Sequence, residues 1–86
     1  MTKVSFSDFF RLLNEWKEIV ALANSDLQER DDASVKIDYI IDELKKPTAK
    51  RDSEMVLTYL NDLKKVKGIE RYVGQSLHTI MLICRS

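Results

Sequence analysis

Residues 25–46 read SDLQERDDASVKIDYIIDELKK. Within them Ala33, Ile37, Ile40, Ile41 and Leu44 recur at i, i+4, i+7, i+8 and i+11, the repeat of one apolar helix face. The stretch therefore predicts an amphipathic helix over about 32–46. Asp32 or Ser34 is its expected cap, because a short polar side chain accepts from the free N–H groups of a first turn. Acids early and Lys45–Lys46 late complement the helix dipole. Pro47 ends the helix, since the residue before a proline is pushed out of the helical region. The pattern leaves open whether SDLQERDD is a separate helical turn or a loop.

Outward from this segment the same period repeats. Upstream, Phe6, Phe9, Phe10, Leu13, Trp16, Val20 and Ala23 follow at three- and four-residue steps, and Leu12, Ile19 and Leu22 widen the stripe. These predict a helix over about 5–24, opened by Ser5 with Asp8 in the capping-box position and closed by Asn24 and Ser25. So broad an apolar face marks it as the expected central, most buried helix. Downstream, Val56, Tyr59, Leu60, Leu63 and Val66 predict a helix over about 52–67, with Gly68 at the residue after its end. Ile69, Tyr72, Val73, Leu77, Ile80, Met81 and Cys84 predict a fourth over about 69–84. HTIMLIC (78–84) is also rich in strand-compatible residues, but a lone strand would lack a partner. Gly74 weakens this helix and leaves room for another helix to approach.

The expected fold is thus a single all-α domain over 1–86, a small bundle of three or four helices joined by short connections. The expected core is Phe9, Phe10, Leu13, Trp16, Val20, Ile37, Ile40, Ile41, Leu44, Val56, Leu60, Leu63, Val73, Leu77, Ile80 and Met81.

Composition narrows the function. With 86 residues, 44% apolar and 33% charged, and with two Gly and one Pro, the chain is long enough for one folded domain. A domain of this length buries only about 60–65% of its unfolded surface. It has little room for a deep substrate cavity, and such domains often gain stability from a partner or a second copy. The longest apolar run, IMLIC at 80–84, is far short of a membrane span. MTKVSFSDFF places Ser and Asp inside its apolar stretch and so does not resemble a signal peptide. Cys84 is the only cysteine, which suits a reducing compartment. A cytoplasmic location is expected.

Net charge is zero, against the excess of Lys and Arg on which general nucleic-acid affinity rests. The zero conceals a split: residues 1–43 hold ten acids and five bases, residues 44–86 four acids and nine bases. Asp26 to Glu43 alone holds seven acids and two bases. On a helix Asp31, Asp38 and Asp42 form one stripe, extended by Glu29, Asp32 and Glu43, with Tyr39 beside it. Such a surface would steer a basic protein partner by long-range attraction, and a tyrosine supplies contact area at small entropic cost. Acids so dense are easier to hold with positive charge nearby, either a partner's or the chain's own KKPTAKR at 45–51.

That basic run and the one at 64–71 are expected to gather at one end of the bundle, where they would suit phosphate or an acidic partner. A small nucleic-acid-binding regulator is therefore an alternative. A second rests on RYVGQSLH, in which Arg71 and His78 stand seven residues apart on one helix face. This spacing is similar to the short motif of helical ribonucleases of the HEPN superfamily. The resemblance covers eight residues and implies an RNA-cleaving site, completed by a second protomer, with His78 in acid–base work and Arg71 on phosphate.

No metal or cofactor is expected: one His and one Cys do not make a zinc site, and DLQERDDASVKI lacks the ligand alternation and the glycine of a calcium loop. No nucleophile arrangement is legible around a single histidine. The primary expectation is a non-catalytic, protein-binding domain, most specifically a small inhibitor of the immunity or antitoxin kind. Its docking surface is expected at Glu29, Asp31, Asp32, Asp38, Tyr39, Asp42 and Glu43.

Overall fold

A computed structural model describes residues 6–85, with side chains except at 6–8, 48, 80 and 83–85. The expectations for Ser5 as a cap with Asp8, and for Phe6, Ile80 and Cys84 as apolar-face residues, lie outside what is described. Four helices follow one another: α1 (Phe6–Ala23), α2 (Leu27–Lys45), α3 (Ser53–Leu63) and α4 (Glu70–Arg85), with a single 3-10 turn at Thr48–Lys50. Among the described residues there is no strand, and HTIMLIC continues α4 as helix. α2 packs against both α1 and α3, and α4 packs against α3. The radius of gyration is 12.4 Å, close to the roughly 12 Å of a compact chain of this length.

The core holds Phe9, Leu13, Trp16 and Val20 of α1, Ala33, Ile37, Ile40, Ile41 and Leu44 of α2, Val56, Leu60 and Leu63 of α3, and Val73 of α4. Phe10, Leu77 and Met81, expected inside, are only half-buried at its margin. The helix expected to be central is not. Leu22 is 89% exposed, and Leu12 and Ile19 are half-buried. α2 instead takes that place, because the elements on its two sides each need its flank, and it contributes six buried residues.

Its N-terminus lies earlier than the apolar period suggests. Asp26 is the cap, its carboxylate accepting from the N–H groups of Gln28 (3.0 Å) and Glu29 (3.3 Å). SDLQERDD is therefore a cap and the first turns of α2, and neither Asp32 nor Ser34 caps. Asn24 ends α1 as expected. Its side-chain oxygen accepts from the Asp26 N–H at 2.9 Å, and its side chain is buried in the tight connection between α1 and α2.

Pro47 stops α2 as expected, and the frayed end is closed by the basic run. Arg51 donates to the carbonyls of Glu43 (3.2 Å), Leu44 (3.2 Å) and Lys46 (3.1 Å). The Leu44 and Lys46 carbonyls are acceptors that a helix end leaves without intrahelical donors, while the Glu43 carbonyl also accepts from the Lys46 N–H at 3.1 Å. α3 stops at Leu63, four residues before the expected end. The chain tightens into successive turns, with Lys65 and Val66 N–H groups donating to Asp62 and Leu63 carbonyls at 3.1 Å. Tightening turns Val66 and Ile69 inward, where both are buried. Gly68 carries the positive φ of 107°, within this turn and not directly after α3. Gly74 faces open space, so the expected close helix approach there is absent among the described residues.

Candidate functional site

The acidic stripe divides once the neighbours of α2 are in place. On the α1 side, Lys17 bonds Asp38 at 2.8 Å, Arg30 donates to the Ala21 carbonyl at 3.0 Å, and the Lys45 ammonium lies 5.8 Å from the centre of the Phe10 ring. On the α3 side, Lys36 pairs with Asp62 at 3.3 Å, and Tyr39 meets Tyr59 edge to face with ring centres 5.0 Å apart. What lies between the two flanks, opposite the core, is an outward ridge.

Glu43 is not on that ridge. It is 3% exposed and lies at the start of α3, where its carboxylate accepts from the Asp52 N–H at 2.8 Å and from the Lys46 ammonium. Asp52 in turn caps α3 by accepting from the Met55 N–H at 3.0 Å. Glu43 thus does from another helix what a glutamate in the first turn of α3 would do in a capping box. A buried carboxylate needs such partners, because leaving water is costly to a charge. The expectation that Glu43 is a docking residue is overturned. The Lys46 hydrogen bond first, then the Asp52 N–H, hold its carboxyl below the ordinary 4.5. The same contact holds the Lys46 ammonium above its ordinary value.

A group whose folded pKa is lowered stabilises the fold above its unfolded pKa, and the contribution disappears as pH falls through the folded value. Glu43→Gln should therefore lower the urea midpoint at pH 7 and flatten its fall between pH 5 and 3. Asp42→Asn should change the midpoint at pH 7 far less. Urea melts across that pH range check this, and equal pH profiles for wild type and Glu43→Gln would remove Glu43 from the junction.

Two more expected docking residues are also occupied within the fold. Glu29 accepts from the Lys67 N–H at 3.2 Å, tying α2 to the turn before α4. Tyr39 is half-buried against Tyr59; burial first, then the Glu43 and Asp52 charges, raise its pKa. Neither presents the free surface expected of it. Asp31, Asp32, Asp38 and Asp42 are exposed as expected. Asp38 is paired to Lys17, and Asp32 lies 3.4 Å from the Gln28 amide. Asp31 and Asp42 make no hydrogen bond or ion pair with another described residue. Leu27 and Val35, at 66% and 67% exposure, share the ridge with them. Both were legible as neighbours of Asp31 at four-residue steps, once α2 is extended back to Leu27.

The two basic runs do not form one end. They lie at opposite termini of α3, whose 11 residues span about 16 Å at 1.5 Å per residue. Lys45, Lys46 and Arg51 of the first are committed to Phe10, Glu43 and the end of α2. Lys50, Lys64, Lys65 and Lys67 are exposed. Arg71 and His78 are both exposed on α4, and neither bonds another described residue.

Two shallow grooves flank these surfaces. One of about 360 Å³ lies between α1 and α2. The other, about 350 Å³, lies between α3 and α4 and is lined by Leu57, Thr58, Asn61, Leu77 and Met81. The described residues hold no group of three or more His, Cys, Asp or Glu placed to bind a metal ion. None of the described helices is long and apolar enough to cross a membrane. No protein-family model, curated protein or solved structure matches the chain.

Proposed function

We propose that this chain is a non-catalytic protein-binding domain, most specifically a small cytoplasmic inhibitor of the bacterial immunity or antitoxin kind. It docks the outward ridge of α2 on a basic protein. The observation that supports this is the ridge itself: unpaired Asp31 and Asp42 beside exposed Leu27 and Val35. Carboxylates steer a positive partner and set the register of docking. The two apolar side chains supply area that can leave water, a favourable term in most protein association. A nuclease suits the description, because a site that holds phosphate is positive. The ridge would then lie over that site, its carboxylates taking the place of phosphate charge, and exclude the substrate.

The experiment is capture from the native host, identification of the partner by mass, and affinity measurement with the purified pair. Changing Asp31, Asp38 and Asp42 together to Lys should weaken binding by at least about 100-fold, since it replaces attraction by repulsion across one face. The Asp31→Lys/Asp42→Lys pair should do nearly as much while sparing the Lys17–Asp38 contact. Unchanged affinity in both variants, with helicity retained, would exclude the ridge as the docking surface.

A further inference from the structure

The outer face of α3 has the same spacing read from either end. Glu54, Thr58, Asn61 and Lys65 stand at i, i+4, i+7 and i+11, and all four are exposed. α3 itself ends at Leu63, but Lys64 keeps helical backbone angles, so the spacing runs on to Lys65. An acid opens the row, a base closes it, and a hydroxyl and an amide lie between. The Glu54 carboxylate and the Lys65 ammonium make no hydrogen bond or ion pair with another described residue. They stand about 16 Å apart along the helix, so they cannot meet within one chain.

Beside this row lies the groove between α3 and α4. Its lining, Leu57, Thr58, Asn61, Leu77 and Met81, has no charged side chain. α4 continues the face. Leu82 is 56% exposed, and a side chain at Gly74 would meet nothing within 4 Å. These two residues stand four places after and four places before His78. Thr58 and Asn61 share the groove with Leu77 and Met81, so the middle of the α3 row and His78 lie at about one level.

We infer that a second copy of the chain docks on this face, its α3 and α4 antiparallel to the first pair about a two-fold axis. Such an interface is isologous: where residue i meets j, residue j meets i. An axis between Thr58 and Asn61 sets Glu54 opposite Lys65 of the other copy, twice over, and Thr58 opposite Asn61. The Thr58 hydroxyl donates to the Glu54 carbonyl at 2.9 Å, which leaves its lone pairs for the Asn61 amide. The same axis, crossing at His78, sets each Leu82 over the Gly74 of the other copy, where the missing side chain lets two helices come close. Leu57, Leu77 and Met81 of both copies then leave water together. What selects a copy of this chain over an unrelated helix is the register. Charge order on α3 and the leucine–glycine spacing on α4 both match their own reverse about one level. The face shares no residue with the α2 ridge, so the dimer carries two ridges. Its footprint, two helices wide and about 16 Å long on α3, is small for a stable interface, and a dissociation constant of about 10–100 μM is expected.

Sedimentation equilibrium of the full chain, up to about 1 mM in low salt, tests this. The wild type should pass from monomer to dimer. Glu54→Lys and Lys65→Glu should each weaken the dimer by at least about 10-fold, because each sets like charges opposite one another twice. Mixed in equal amounts, the two variants should form a heterodimer about as tight as the wild type, since every pair across the axis is again opposite in sign. Leu82→Glu should weaken the dimer by at least about 10-fold as well. All three positions are exposed, so circular dichroism should show unchanged helicity. A wild type still monomeric at the highest concentration would overturn the inference. So would a dimer that these substitutions leave intact, or one that only Asp31→Lys disrupts, because the copies would then meet elsewhere. Failure of the two charge variants to pair when mixed would overturn the antiparallel two-fold arrangement, and the inference with it.

Discussion

Trp16→Ala should cost about 3–5 kcal/mol, the range for removing a large buried aromatic and leaving a cavity. Trp16 is fully buried, on the face of α1 that also carries Phe9, Leu13 and Val20 into the core. A domain of this length has about 4–13 kcal/mol of total stability, so the loss removes a large fraction of it and lowers the urea midpoint clearly. Trp16→Phe should cost considerably less. It keeps most of the ring volume, and the indole N–H that it removes has no hydrogen-bond partner among the described residues, so no bond is lost. Urea melts followed by far-UV circular dichroism test both variants, because the protein's only tryptophan cannot report on its own absence. A midpoint for Trp16→Ala equal to that of the wild type would take Trp16 out of the core.

The second large effect is at the turn before α4. Gly68→Ala should cost about 1–3 kcal/mol, because φ near 107° is a region that side-chain-bearing residues occupy only under strain. The added methyl would also lie 2.9 Å from the Ala23 Cβ, closer than two carbons can approach without something moving. That places the cost in the contact between the turn and the end of α1, next to the Lys67 N–H that ties the same turn to Glu29 of α2. Gly74→Ala should do the opposite and stabilise the fold by about 0.5–1 kcal/mol, since it sits inside α4 with open space around it. Paired thermal melts should move in opposite directions. A common direction would contradict either the backbone assigned to Gly68 or the open surroundings of Gly74.

These two glycines show where sequence reasoning reaches and where it ends. In the chain Gly68 reads as a helix end and Gly74 as a weak point inside a helix. Only one carries a positive φ, and what distinguishes them is the Ala23 side chain, 45 residues away in sequence. The helices themselves were legible because each has an apolar face, and periodicity reports faces. Their ends were less so. The first turn of α2 has no buried residue before Ala33, so the apolar repeat is silent there, and the capping of Gln28 and Glu29 by Asp26 carries the start alone. The end of α3 was placed late because Val66 continues the helical spacing. It is buried in a turn instead, since a turn can also direct an apolar side chain inward.

Sequence spacing placed an acidic face outward on α2, but not with all of its expected members. Asp31, Asp32, Asp38 and Asp42 were found because their spacing from the apolar face sends them outward. Glu43 fails for a reason no local pattern contains. Its carboxylate has an N–H donor only because the chain beyond Pro47 returns Asp52 to it, with Lys46 beside it. The same return spends Arg51 on the carbonyls that end α2. The chain's own bases thus answer part of the acidic excess, at Glu43 and, through Lys17, at Asp38. They leave Asp31 and Asp42 without a side-chain hydrogen bond or ion pair among the described residues, and these are the first positions to mutate.

By itself, then, the sequence determined four amphipathic helices, their order, the stop at Pro47 and most of the core, because burying a periodic apolar face is a local demand repeated along the chain. Only the tertiary structure decided that α2 is the helix flanked on both sides, that the two basic runs lie at opposite ends of α3, and that Glu43 is inside while Leu27 and Val35 are outside. The physical reason is that a charge goes where its partners are. Those partners come from segments distant in sequence, so their positions exist only after the helices have packed.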